Sequence, residues 1–358
     1  MEEERPLRSF EHDGHLLRFE QQVDGRPRKF EFIWEEDDSP EGLLAAYASG
    51  DERRRFNAVH LMGQNPDPRF TETLLSAASD PHFPGRGVAV IGLAKLAAAD
   101  RRARKAVFSA TLSGDFLLTA AGLQGLALVG GWRAKRLLKK VLKRLMRRSD
   151  IMTGGTASTA AALLALAACE SMLALGLDAS EAVDRLLGHP ERGVRAQALG
   201  LLARKPEAAN VDRMERMRSA PVPECILALE VLARRGRADA VEALADYAES
   251  PDSDTRTHAV GALLRVGDAA LPHIERLIDR QSDLMLRLQM AQRLHAAGRP
   301  LHIALFREAL SQDSPVVRQT AVATLARDGS EEALALLKEH VENEPDDFLR
   351  RQIRRRIG

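Results

Sequence analysis

The sequence predicts an all-α protein, an α-solenoid of about nine helical hairpins preceded by a small N-terminal antiparallel β element. Three observations carry that prediction. Alanine occurs 55 times in 358 residues while aromatic residues make up 4%, so the core is built from small and aliphatic side chains that let helices approach closely. An Ala-x-x-x-Leu core recurs at Ala198/Leu202, Ala228/Leu232, Ala259/Leu263, Met290/Leu294 and Ala321/Leu325, its leucines stepping by 30, 31, 31 and 31 residues. Four residues after four of those leucines stand Gly236, Gly267, Gly298 and Gly329, where a left-handed residue ends one helix before the chain reverses.

In chain order, residues 1–38 read as a β cap. Leu17, Phe19 and Val23 alternate on one strand and Phe30, Phe32 and Trp34 on the next, with Asp24-Gly25 supplying a hairpin turn. A second Asp-Gly, at 13 and 14, joins an earlier short strand around Leu7 to Phe10. This element is expected to cover the first repeat, with a docking hairpin for a partner strand as the alternative. Ser39-Pro40-Glu41 then opens a helix with a capping residue, an N1 proline and an acidic first turn. Residues 39–148 hold the N-terminal repeats, through Ala58/Met62, Ala89/Leu93 and Gly122/Leu126. Residues 149–158, with Gly154-Gly155, form a joint, and residues 159–358 hold the C-terminal repeats from Ala162/Leu166 onward. Three residues before the small core residue sits an arginine in six units: Arg55, Arg86, Arg195, Arg256, Arg287 and Arg318. Asp51, Asp80, Asp252, Asp283 and Asp313 stand at unit starts. An Asp–Arg ladder that caps helices and ties neighbouring units together is the expected role.

Residues 313–326 (DSPVVRQTAVATLA) and 194–203 (VRAQALGLLA) resemble HEAT-like repeats of the short bacterial type seen in phycobilin-lyase-related proteins, over about residues 50–342. The resemblance implies protein binding and scaffolding more often than catalysis, and it implies that second helices line the concave side. A weaker resemblance, of residues 28–96, is to the C-terminal helical region of M1-type metallo-aminopeptidases. Their His-Glu-x-x-His zinc motif is absent, which excludes that activity.

The near-neutral total, 52 Lys plus Arg against 51 Asp plus Glu, hides a polarised distribution. Between Arg86 and Arg148 fifteen basic residues face only Asp100 and Asp115, whereas between Glu207 and Arg256 seven arginines face eleven acids. The basic centre is Arg133 to Arg148, nine cations in sixteen residues. At about 100° per residue, Ala134, Leu137, Leu138, Val141, Leu142 and Leu145 share one side and Arg136, Lys139, Lys140, Lys143 and Arg147 the other, with Arg133, Lys135 and Arg144 completing the cationic set. As a second helix it would present this face to the groove. The helix from Asp100 to Ala110, with Arg101, Arg102, Arg104 and Lys105, takes the same place one repeat earlier and extends the surface. An acidic protein is the expected partner. A nucleic acid on the same surface is the alternative, and an anionic membrane or a merely solvated face remain open. Only Phe108 and Trp132 are near enough to stack bases, which counts against a single strand and against the concave aromatics of HEAT-like DNA glycosylases.

No phosphate-binding loop, dinucleotide fingerprint, HExxH or nucleophile elbow occurs. None of the ten histidines is followed by Glu, so the iron-binding His-Glu pairs of HEAT-type deoxyhypusine hydroxylases are lacking. His258 and His295 are expected to be packed or rim residues. Cys169 and Cys225, 56 residues apart in apolar runs, read as buried thiols. No enzyme activity, cofactor or metal is expected. Residues 151–177 carry a single charge, Glu170, but are rich in Ala, Gly, Ser and Thr, so a buried helix is expected rather than a transmembrane span. With no apolar h-region at the N-terminus, a cytoplasmic protein is expected.

Overall fold

The computed structural model describes residues 15–23, 26–34, 37–147 and 152–357. The chain divides into two compact units, His12–Asn210 and Val211 onward.

In the first unit β1 (His15–Val23) and β2 (Arg26–Trp34) form an antiparallel pair in which Leu17 faces Phe32, Phe19 faces Phe30 and Val23 faces Arg26. The proposed turn at Asp24-Gly25 and the strand around Leu7 to Phe10 lie outside the described residues. The expected fold class needs correcting here. Among the described residues the solenoid is helical, α1 to α20, with no β layer packed on its first helices, and the two strands pair with each other. The physical reason lies in α1 (Pro40–Ala48). It buries Leu43 and Ala46 by packing on α2 (Glu52–Gln64), so the first repeat closes helix against helix without a sheet.

The helices that follow alternate in chain order as first and second helices: α2 then α3 (Thr71–Ser79), α4 (Arg86–Leu96) then α5 (Arg101–Ala110), α6 (Phe116–Val129) then α7 (Gly131–Met146), and α8 (Thr156–Ala174) then α9 (Ser180–Leu186). α10 (Arg192–Arg204) closes the unit. The first helices of these pairs, α2, α4, α6, α8 and α10, pack on one another in a row. Small residues bring them together. A Cβ added to Gly92 would lie 3.1 Å from the Gly63 Cα, and one on Gly125 would lie 3.2 Å from the Ala94 Cβ. The second helices are spread more widely, and α5 and α7 make no extensive contact.

The second unit repeats the plan with α11 (Val211–Met217), then α12 (Glu224–Arg234) with α13 (Ala238–Tyr247), α14 (Ser253–Val266) with α15 (Leu271–Leu277), α16 (Leu284–Ala296) with α17 (Ile303–Leu310), α18 (Pro315–Asp328) with α19 (Glu331–Val341), and finally α20 (Asp347–Ile357). The repeat residues Leu232, Leu263, Leu294 and Leu325 are all buried. The glycines that follow them have φ of 87°, 104°, 82° and 66°, the left-handed geometry that a side chain disfavours.

The arginine ladder acts mainly through backbone. Nη1 of Arg195 donates to the carbonyls of His189 and Pro190, that of Arg256 to Ser250 and Pro251, and that of Arg318 to Gln312 and Asp313. Each ties the start of a first helix to the loop before it. Contacts between Arg and the next unit's Asp occur at Arg55–Asp80, 3.4 Å, and Arg86–Asp115, 3.6 Å. Asp51, Asp252 and Asp283 cap their helices as expected.

The division at Asn210/Val211 does not fall at residues 149–158. There α7 packs on α8, and Arg185 of α9 donates to the Met146 carbonyl at 3.0 Å.

Gly122 offers a test of the close packing. A Cβ there would sit 2.4 Å from the Thr111 backbone N and 2.7 Å from its Cα, atoms that yield only if α6 moves. On Gly87 it would meet the Ala121 Cβ at an ordinary 3.5 Å. Gly122→Ala should therefore lower unfolding free energy in urea by about 1–3 kcal/mol. Gly87→Ala should be neutral or stabilising by up to ~1 kcal/mol.

Candidate protein-interaction surface

α7 forms because its apolar residues recur at helical spacing and because Gly130 and Gly131, at φ 65° and 74°, reverse the chain after α6. It buries Ala134, Leu138, Val141, Leu142 and Leu145 and leaves Leu137 half-buried. On the other side Arg133, Arg136, Lys139, Lys140, Lys143, Arg144 and Arg147 are exposed and Lys135 is half-buried, while Arg148 lies outside the described residues. None of these eight cations forms an ion pair with a described residue. Lys143 and Arg144 lie in the last turn, where they favour the negative end of the helix dipole.

The α5 residues divide. Arg102 is bound to Asp100 and to Glu72 of α3, and its guanidinium holds the Asp100 carboxyl below the usual carboxylate range. Arg104 donates to the Ala97 carbonyl at 3.0 and 2.7 Å, tying α5 to the turn before it. Arg101 and Lys105 are exposed and, among the described residues, without an ion pair. The structure therefore leaves α5 with two free cations rather than four. The tightly spaced row in this unit is that of the first helices, so the packing gives no support to a concave placing of α7.

A surface that sequence reasoning missed lies on α6. Its sequence is apolar all round, the pattern of a buried helix. Yet Leu117 is 69% exposed, Leu128 54% and, just beyond the turn, Trp132 65%. The one local signal is Gln124, a polar residue seven after Leu117 and four before Leu128, which marks an outward face. Beside that face a groove of about 1110 Å³ runs across α2, α4 and α6.

The buried polar groups are engaged structurally. His189 is fully buried. Its Nδ1 accepts from the Glu191 backbone N–H at 3.0 Å, so Nε2 carries the proton and donates to Ser158 Oγ at 3.2 Å. That polarity is opposite to the one a serine nucleophile needs. In the second unit Arg318, buried, meets fully buried Glu344 at 3.1 and 3.2 Å, and Glu230 accepts two bonds from Arg265 at 2.9 and 2.8 Å. His258 is exposed, and His295 is half-buried with its ring 3.0 Å from Asp328. Burial pushes the Cys169 thiol up to about 12. α8 is long and apolar enough to cross a membrane, with mean hydropathy 1.6 over its window, and half of that window is buried within the fold.

With this geometry in view the class is plain: a protein of stacked helical hairpins, whose successive pairs bury their apolar stripes on one another. Residues 215–295 and 282–357, all in the second unit, match the family model of HEAT repeats. Among solved structures it is similar to the complex of CpcE and CpcF of phycocyanin lyase from Nostoc sp. PCC7120, with 20% identity over 68% of this chain and 94% of that one and a TM-score of 0.41. It is also similar to human deoxyhypusine hydroxylase, with 17% identity, 79% and 94% coverage and a TM-score of 0.30. A third likeness is to a structure describing tubulin recruitment by microtubule polymerases with TOG domain arrays, with 11% identity, 89% and 91% coverage and a TM-score of 0.25. No curated protein matches. The expected similarity of residues 28–96 to M1 aminopeptidases is not shown by these likenesses.

The free and the engaged cations should separate in stability measurements. Arg318→Ala leaves buried Glu344 with only the His340 ring and the Asp346 N–H as partners and should cost about 3 kcal/mol in urea unfolding. Lys140→Ala should change stability by less than about 0.5 kcal/mol.

Proposed function

We propose that the protein is a non-catalytic interaction scaffold that binds an acidic protein partner through the cationic face of α7. The observation that carries this reading is the set of exposed cations from Arg133 to Arg147 that no described carboxylate neutralises, in a chain whose other arginines are mostly bound to acids or carbonyls. Such a field draws an oppositely charged surface and speeds its encounter, while the stacked repeats supply a rigid support. Arg101 and Lys105 of α5 add to it, and Arg102 and Arg104 serve the fold. The nucleic-acid alternative uses the same charges but lacks aromatic side chains among them beyond Trp132.

The test is the triple variant Arg136→Glu, Lys140→Glu and Lys143→Glu, used beside the wild type to capture partners from nuclease-treated extract and then in salt titrations. An acidic protein should be retained by the wild type and lost by the variant, with a shallow dependence of affinity on salt. Binding that survives the reversal removes the reading. Binding that is nuclease-sensitive and falls steeply and linearly in log salt replaces it with nucleic acid.

A further inference from the structure

We infer that the outward face of α6 and the groove beside it seat the apolar side of an acidic amphipathic helix. This rests on the reading above for the partner's charge and deepens it by giving the partner's form. Leu117, Gln124 and Leu128 are spaced by seven and four residues, which puts them within about 20° of one line along the helix. Leu117 and Leu128 are eleven residues apart, so the line is about 17 Å long. Beside it, half-buried Val88 and Ile91 of α4 and Phe56 of α2 line the groove. The close approach of the first helices makes these side chains one continuous floor.

The occupant follows from shape and charge. A channel between parallel helices, with anchors one and two turns apart, fits the apolar stripe of another helix. Its aliphatic lining offers little for bases to stack on. Within the groove Asp115 is already used, accepting from the Leu118 N–H at 2.8 Å and pairing with Arg86. At the far end of α6, Trp132 carries the Arg133 guanidinium 5.4 Å above its ring, and the cationic face of α7 begins there. A helix seated on α6 thus meets unneutralised positive charge at that end, which complements acidic residues flanking its apolar stripe.

The experiment uses the full chain carrying Trp34→Phe, which leaves Trp132 as the only tryptophan, and a synthetic peptide of about four helical turns with Leu at helical spacing and Glu elsewhere. Peptide binding should shift Trp132 emission to the blue. A scrambled peptide of the same composition, and the Leu117→Gln/Leu128→Gln variant tested with the original peptide, should each bind at least tenfold more weakly. Both leucines are more than half exposed, so the variant should keep its thermal melt. If scrambled and amphipathic peptides bind alike and the α7 charge reversal abolishes both, the inference falls while the acidic-partner reading stands. If neither peptide binds, the inference falls and the capture experiment alone decides the reading. Tighter binding of phosphatidylglycerol vesicles or duplex DNA, weakened by the same leucine variant, also overturns it.

Discussion

The close approach of the first helices in the N-terminal unit is the constraint on which its surfaces depend. Gly63 lies against Gly92, and Gly125 fits over Ala94 and Val107, so α2, α4 and α6 settle into a single row. A Cβ on Gly92 would crowd the Gly63 Cα at 3.1 Å and one on Gly125 would crowd Val107 at 2.9 Å, so larger residues there force neighbours to shift. Because the first helices make the inter-repeat contacts, the second helices are held mainly by neighbouring first helices, as α7 is by α6 and α8. That leaves α7 with a full outward face. The same row turns one side of α6 outward, although the helix carries apolar residues on every side.

Electrostatics separates structure from function on this scaffold. Arg318 with Glu344 and Arg265 with Glu230 are charge pairs in which at least the acid is buried, and removing the arginine would take away the main compensation of that buried charge. Arg195 and Arg256 are spent on loop carbonyls. The α7 cations stand in the opposite situation. Arg136, Lys139, Lys140, Lys143 and Arg147 repel one another at i,i+3 and i,i+4 spacing, each pair costing a few tenths of a kcal/mol, and only the helix dipole offsets part of it. The acidic partner proposed above would relieve that repulsion.

The repeats were legible because their markers are local: a leucine every 31 residues and a glycine four positions later, which the fold turns into buried cores and left-handed caps. The exposed face of α7 was legible for the same reason, since amphipathic spacing fixes which side chains face outward. The pairing of β1 with β2 followed from alternation, but whether anything packs on a strand is a tertiary property, and α1 closes on α2 instead. Arg102 and Arg104 were misjudged because their partners, Glu72 and the Ala97 carbonyl, are set by the fold. The lengthened repeat step near Gly154 reads as a joint, and α7 and α8 on either side of it pack on each other. On α6 the apolar composition concealed Leu117 and Leu128, because periodicity has no contrast in a helix that is apolar all round.

The central claim, that the α7 cations are a contact surface rather than a solvated face, is tested most directly by lysine footprinting. The full chain would be acetylated briefly, free and with its captured partner bound, and the modification of each lysine read by mass spectrometry. The account predicts that Lys135, Lys139, Lys140 and Lys143 lose reactivity in the complex while Lys205 and Lys338 keep theirs. Unchanged reactivity along α7 in a saturated complex would contradict it.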